Sequence, residues 1–223
     1  RVGRDSDYNL DTLVIDGNTG TQLDVPAHSV ARPELKLPHS SPMGTLFTET
    51  IEPWKCGGEA CVIDVGDLLD TAPPGTSPLV GPERVRAWER KHRPLGFGDA
   101  VLFRSGYADR YYKPLPAGRR FLADPLERKA AAWPDPAPET MDLLAGQGVM
   151  HIGTDSPTMG PMPDLGEPVH FAAMKHGATF TESAANLGSL PDTGGFYCIL
   201  SPKHEGGPYA EGRAFAIVGG ELP

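Results

Sequence analysis

Several features that define common protein classes are scarce in this 223-residue sequence. It has 3 cysteines, an odd number, and a chain of this length can bury enough apolar surface to fold without disulfides. We therefore expect free thiols in a reducing, cytoplasmic setting, although Cys56 and Cys61 are close enough in sequence for a short disulfide or part of a metal site. No run approaches the roughly 18 apolar residues of a membrane-spanning helix, and no signal pattern opens the sequence.

Positive charge is also in short supply, with 20 Lys and Arg against 29 Asp and Glu and a formal net charge of −9. An acidic chain has no basic field to attract nucleic acid or an anionic membrane surface. The sequence contains no P-loop, dinucleotide fingerprint or G-x-S-x-G nucleophile motif. We therefore expect a small-molecule substrate, and no nucleic-acid or membrane partner.

Glycine and proline are abundant instead, with 27 and 24 residues, which argues against a helical bundle. Short apolar runs predict strands at Leu13–Ile15, Ala60–Val65, Ala100–Ser105, Val149–Ile152, Ala178–Thr181, Gly195–Leu200 and Ala214–Val218. Periodicity and end signals predict helices at Pro82–His92, Glu139–Ala145 and Pro168–His176. Because no repeat or linker divides the chain, we expect one loop-rich α/β domain over residues 1–223.

Residues Lys113–Pro138 form a proline-rich segment, which we predict to be an ordered surface arm rather than a regular element. Ordering such an arm costs conformational entropy, and contact with a second subunit can offset that cost. The segment therefore favours a homo-oligomer.

The most informative segment is N-T-G-T-Q-L-D-V-P-A-H, residues Asn18–His28. It brings two amides, a carboxylate and an imidazole together on what its Gly and Pro predict to be a connection between elements. Asp24 and His28 are four residues apart, close enough to share a site on a turn. The alternative is that Asn18 and Asp24 cap turns and that His28 is an ordinary surface histidine.

A second candidate pair is His170 with Glu182, at the start of a predicted helix and the end of the following strand. An imidazole and a carboxylate can bind a divalent metal, or the carboxylate can orient the imidazole as a general base. The alternative is two unrelated surface groups. The loop Gly153–Thr158 adds Asp155 and Ser156, either as substrate-binding side chains or as turn caps.

These segments resemble the cyclase family, metal-dependent hydrolases that include bacterial kynurenine formamidase and isatin hydrolase. The family signature H-x-G-T-H-x-D-x-P-x-H is matched here at Gly20, Thr21, Asp24, Pro26 and His28. Further similar stretches are G-D-A-V-L-F-R-S-G-Y at Gly98–Tyr107, G-T-D-S-P from Gly153, and the segment His170–Leu187, with twelve residues from its His to its Glu and a terminal N-L. The resemblance runs roughly from Leu13 to Val218.

The resemblance implies the family's swivelling β/β/α fold, hydrolysis of an amide or related bond, and a homodimer or homotetramer with sites near the subunit contact. Asp24, His170 and Glu182 fall where family members hold metal, and His28 falls where the proton donor and acceptor lies. The family's amino-terminal strand and Trp/Pro-bearing loop have no counterpart before Arg1, which suggests a missing or shortened segment.

Asn18 and Gln22 replace the first two histidine ligands of the family. Because amide oxygens are weaker zinc ligands than imidazole, a bound divalent metal would shift from zinc toward manganese or magnesium. We expect a hydrolase of a carbon–nitrogen bond in which His28 and Glu182 act as acid and base and the two amides contact substrate. Alternatives are a metal-independent cyclase, lyase or isomerase, and a non-catalytic small-molecule-binding homologue.

Overall fold

The computed structural model describes residues 12–219. The strands are β1 (Gln22–Asp24), β2 (Gly57–Asp64), β3 (Leu79–Val80), β4 (Asp99–Arg104), β5 (Asp135–Pro136), β6 (His151–Thr154), β7 (Thr179–Glu182), β8 (Gly195–Leu200), β9 (Tyr209–Glu211) and β10 (Arg213–Val218). The α-helices are α1 (Pro82–Lys91), α2 (Tyr107–Tyr111), α3 (Ala123–Leu126), α4 (Pro138–Gly146) and α5 (Gly166–Met174). The predicted α/β class is confirmed. Within the described range, no helix has the length and apolarity needed to cross a membrane.

Eight strands form one mixed sheet in the order β10-β8-β2-β4-β6-β7-β1-β9, and β3 pairs separately with β5. The central strands β2, β4, β6 and β7 run parallel. Parallel strands that are covered on both faces have continuous apolar sequences. Residues 61–63 of β2 and 101–103 of β4 are of this kind, since all of them are buried. One face packs against α1, α4 and α5 in the largest core cluster. The carboxyl ends of the parallel strands therefore meet at one edge of the sheet, where Glu182 ends β7.

The sheet curls because its two edge strands belong to one bent segment of chain. β9 pairs with β1 at one edge and β10 pairs with β8 at the other, with only Gly212 between them. The Gly212 amide donates to the Thr21 carbonyl at 2.9 Å. A Cβ on Gly212 would lie 2.9 Å from the Ile199 side chain and 3.0 Å from the Leu200 carbonyl, so the close approach requires glycine.

The predicted strand at Leu13–Ile15 is wrong, since these residues are unpaired coil with exposed side chains. The strand of this region lies at Gln22–Asp24, inside the segment predicted as a connection. This strand lacks the usual alternation of buried apolar and exposed polar side chains, because Gln22 and Asp24 are buried and point toward other polar groups. The other predicted strands and helices overlap observed elements.

The proline-rich segment is only partly a surface arm. Its second half contains β5 and leads into α4, and Trp133 and Asp135 are buried at 1% and 0% exposure. Pro138 is compatible with a helix because it occupies the first turn of α4, where the backbone needs no amide donor. The first half, up to Lys129, contains α3 and lies mostly at the surface.

Candidate active site

The candidate site lies at the carboxyl edge of the parallel strands. Antiparallel pairing sets Gln22 opposite Glu182 and Asp24 opposite Phe180, so Gln22, Asp24 and Glu182 share one face of the sheet. Helix α5 packs on that face and directs the His170 Nε2 atom to 3.6 Å from Asp24 Oδ2 and 3.4 Å from Glu182 Oε1. The two carboxylates and the imidazole, far apart in sequence, thus form one cluster.

The orientation of His170 is fixed by its own helix. Its Nδ1 atom donates a hydrogen bond to the Gly166 carbonyl at 2.8 Å, and a carbonyl can only accept. The Nε2 atom is therefore the one that faces the carboxylates. Metal-binding histidines are commonly oriented in this way, with the second ring nitrogen donating to a carbonyl or carboxylate.

Asp24 is the most unusual carboxylate of the cluster. It is fully buried, and neither of its oxygens has a hydrogen-bond partner among the described residues. Burial and repulsion from Glu182 raise the pKa of Asp24 to about 7. Burial disfavours a charged His170, but the two adjacent carboxylates outweigh it and raise the pKa of His170 to about 10. The cluster therefore favours positive charge between Asp24 and Glu182.

Glu182 is held from several sides. Its Oε1 atom accepts hydrogen bonds from the Met159 amide at 2.5 Å and the Thr158 hydroxyl at 3.2 Å. Its Oε2 atom accepts from the Gln22 side-chain amide at 2.9 Å, and the same Gln22 nitrogen donates to Asn18 Oδ1 at 2.9 Å. Gln22 thus links Asn18 to Glu182 and orients a carboxylate of the cluster.

His28 lies beside the cluster, at the end of the short 3-10 turn Pro26–His28 that follows β1. Its ring centroid is 5.2 Å from that of His170 and 5.2 Å from that of Tyr209, both in edge-on contacts. Partial burial of the ring and the charge of His170 lower the pKa of His28, which favours the neutral imidazole. His28 also lines a cavity of about 620 Å³ together with Arg32 and Phe47.

The donor groups fit a divalent cation. Asp24, His28 and His170 each place a potential ligand atom within 4.8 Å of the other two, and Glu182 adds a second carboxylate next to His170. A cation between these groups would satisfy the two unpartnered oxygens of Asp24 and reduce its repulsion with Glu182. The chemistry of the site therefore indicates a divalent metal, without identifying it.

Asp155 and Ser156, predicted as substrate-binding residues, do not join this cluster. Asp155 is buried and accepts hydrogen bonds from the amides of Ser105, Gly106 and Tyr107 at 2.6–3.2 Å. Ser156 is also buried, with its hydroxyl 2.6 Å from that of Thr154. Both side chains are engaged by the protein itself, which favours structural roles, and their contact with substrate stays a prediction.

Asp135, inside the proline-rich segment, was not predicted as a site residue because no motif of the sequence includes it. This carboxyl group is completely buried, and its Oδ1 atom accepts from the Ser156 hydroxyl at 3.2 Å. Burial, together with the charge of Glu182, raises the pKa of Asp135 well above its usual value. Asp135 therefore borders the loop that holds Glu182.

Replacement of Asp155 by alanine tests its structural role. We expect the free energy of unfolding to fall by about 2–4 kcal/mol, because three backbone amides and a hydroxyl lose their acceptor in a buried position. Denaturant unfolding measures this loss, with Asp142→Ala as the control because the Asp142 side chain is 52% exposed in a surface ion pair. A variant of unchanged stability but raised KM would instead support the predicted substrate-binding role.

Comparison with known proteins agrees with the fold. The family model Cyclase, described as "Putative cyclase", matches residues 5–161. The chain therefore belongs to the Cyclase family, as its motifs suggested. This membership places it among small-molecule enzymes of the hydrolase or cyclase type.

Isatin hydrolase of Roseibium aggregatum is 26% identical over 212 residues, which cover 92% of this chain and 73% of the relative. The structure of isatin hydrolase A from Ralstonia solanacearum superposes with a TM-score of 0.72 at 25% identity, covering 91% of this chain and 73% of that one. Isatin hydrolase A from Labrenzia aggregata gives a TM-score of 0.75 at 21% identity, covering 95% and 77%. The fold expected from the resemblance is confirmed.

Proposed function

We propose that this protein hydrolyses a carbon–nitrogen bond of a small molecule, in an amide, a cyclic amide or a formamide. The observation that carries the proposal is the buried Asp24 carboxylate without hydrogen-bond donors, facing an oriented His170 and adjoining a neutral His28. Such a cluster combines cation binding with a group able to move protons. The similarity to isatin hydrolase supports hydrolysis, and the cavity beside His28 supports a small-molecule substrate.

Asp24, His170 and Glu182 would hold a divalent metal. The bound ion would polarise a substrate carbonyl and lower the pKa of a water molecule. Because two of these three ligands are carboxylates and Gln22 and Asn18 stand in for imidazoles, we propose manganese or magnesium ahead of zinc. Gln22 keeps Glu182 in position through the hydrogen bond to Oε2.

His28 would move the protons of the reaction. In its neutral form it accepts a proton from the attacking water as the water oxygen bonds to the carbonyl carbon. It then donates that proton to the nitrogen as the carbon–nitrogen bond breaks, so the products are a carboxylic acid and an amine. Its position on a turn at the edge of the cavity leaves the ring accessible to a substrate.

Protein purified without chelator is expected to contain a divalent metal and to add water to at least one member of a panel of cyclic amides, imides and N-formyl compounds. Mass spectrometry measures the gain of water. Removal of the metal should abolish turnover because the carbonyl and the water lose their activation, and manganese or magnesium should restore it at least as well as zinc.

Lactones in the same panel serve as a comparison for carbon–oxygen bonds. Turnover that survives complete metal removal would contradict the metal-dependent mechanism. A product with the mass of the substrate would favour an isomerase or cyclase, and the loss of water would favour a lyase.

A further inference from the structure

Three residues of the loop after β6, Thr158–Gly160, lie between the groups that hold two of the proposed metal ligands. They are called the spacer segment below. The Thr158 hydroxyl and the Met159 amide both donate to Glu182 Oε1, at 3.2 and 2.5 Å. Met159 and Gly160 are buried. The first part of the spacer segment therefore fixes the position of one carboxylate oxygen.

The last residue of the spacer segment contacts the start of α5. A Cβ on Gly160 would lie 2.5 Å from the Gly166 Cα atom, whereas carbon atoms pack at about 3.5–4.0 Å. Gly160 does not have a positive φ, so this close contact, rather than its backbone conformation, requires glycine. The Gly166 carbonyl accepts the hydrogen bond from His170 Nδ1 at 2.8 Å. A displacement of Gly166 would therefore move the acceptor that orients the His170 ring.

Both sides of this contact are anchored in the protein. The indole nitrogen of Trp133, a residue only 1% exposed, donates to the Gly160 carbonyl at 3.1 Å. Two residues further on, Met162 exchanges two hydrogen bonds with Ser77, each of 2.9 Å. On the other side, α5 is packed into the largest core cluster through Val169. A methyl group on Gly160 would therefore shift the supports of both proposed ligands, because neither side can move away freely.

We propose that the spacer segment sets the distance between Glu182 and His170 and thereby the affinity of the site for a divalent cation, with Thr158 and Gly160 as positioning residues. This inference rests on the metal-dependent function proposed above. His170 Nε2 lies 3.4 Å from Glu182 Oε1. Two atoms that each bind one ion at about 2.1 Å lie roughly 3–3.5 Å apart, so the observed distance suits a shared ion. Such groups must be held to within about 0.5 Å, whereas relief of the contact that alanine would create needs about 1 Å.

Replacement of Gly160 by alanine is expected to weaken divalent-metal binding by about 10–100-fold, the usual loss when a group that orients metal ligands is changed. Titration calorimetry of manganese(II) into metal-free protein measures the dissociation constant without any substrate. Gly146→Ala is the matched control, because Gly146 ends α4 with open space around an added Cβ, and this variant should bind manganese as the wild type does. Thermal melts without metal verify that both variants are folded.

A second pair of variants tests the Glu182 side of the spacer segment, and it decides the outcome if Gly160→Ala fails to fold. Thr158→Val keeps the shape of the side chain but removes the hydroxyl that donates to Glu182 Oε1, so we expect manganese binding to weaken about tenfold. Thr158→Ser keeps the hydroxyl and should retain most of the affinity. A purely structural Thr158 would instead change the melting temperature of the valine variant and leave its dissociation constant unchanged.

Unchanged manganese affinity in folded Gly160→Ala and in Thr158→Val would overturn the inference and leave the proposed function intact. Thr158→Ser binding as weakly as Thr158→Val would also contradict it, because the hydroxyl would then not be responsible. A wild-type protein that binds no divalent metal would refute the metal-dependent function and this inference with it. The wild-type titration therefore distinguishes the two failures.

Discussion

Replacement of His28 by asparagine is expected to lower turnover by about 10²–10⁴-fold, because asparagine keeps a hydrogen-bonding group of similar size but cannot accept or donate a proton near neutral pH. The melting temperature should change little, since His28 lies on a turn at the surface, and its partly covered ring packs only against the edges of His170 and Tyr209 among the described aromatic rings. Steady-state kinetics on a substrate verified by mass spectrometry measure the effect.

His39→Asn provides the control, because His39 is an exposed histidine that packs against Phe171, on the outer side of α5. It should retain full turnover. Near-normal turnover of the His28 variant would assign proton transfer to Glu182, His170 or another group. A His28 variant that unfolds would show that the residue is needed for the fold.

Replacement of Asp24 by asparagine is expected to abolish metal binding and lower turnover by at least about 10³-fold, since the site loses a charged ligand and with it the activation of substrate and water. The melting temperature without metal should not fall, because the substitution removes a buried carboxylate that lacks hydrogen-bond donors and repels Glu182. Elemental analysis and melts with and without added metal measure these effects.

In the wild type, metal should raise the melting temperature by binding only the folded state, and the Asp24 variant should lose that rise. Asp142→Asn, on the surface, should keep it. Stoichiometric metal in the Asp24 variant would place the binding site elsewhere.

The central strands and surface helices were predictable because their signals are local. Residues 101–103 form an apolar run typical of a buried parallel strand, and α1 follows from Pro82 at its start and Val85 and Trp88 on one face. The short strand at Gln22–Asp24 was not predictable in this way. It exists because two other strands supply its hydrogen-bond partners, and those strands are about 160 and 190 residues away.

The members of the candidate site were identified from the resemblance and from residue type, whereas their relation to one another required the fold. The sequence predicted Asn18 and Gln22 as substrate contacts, which stays a prediction, and the structure adds a hydrogen bond from Gln22 to Glu182. Asp155 and Asp135 show what cannot be distinguished from the sequence alone. A buried carboxylate that anchors a turn and one that borders the site are both single aspartates in segments that the sequence predicts to be irregular, and only tertiary contacts distinguish them.

The bent segment at Gly212 also has a consequence for the order of folding. The strand that carries Gln22 and Asp24 receives its second neighbour only from residues 209–211, and the opposite edge is completed by residues 213–218. During synthesis, β1 must therefore wait for about 190 further residues before its sheet contacts are complete. Such distant pairing is intrinsically slow, so a ribosome making this chain would expose an unpaired β1 edge until residues 209–211 have emerged.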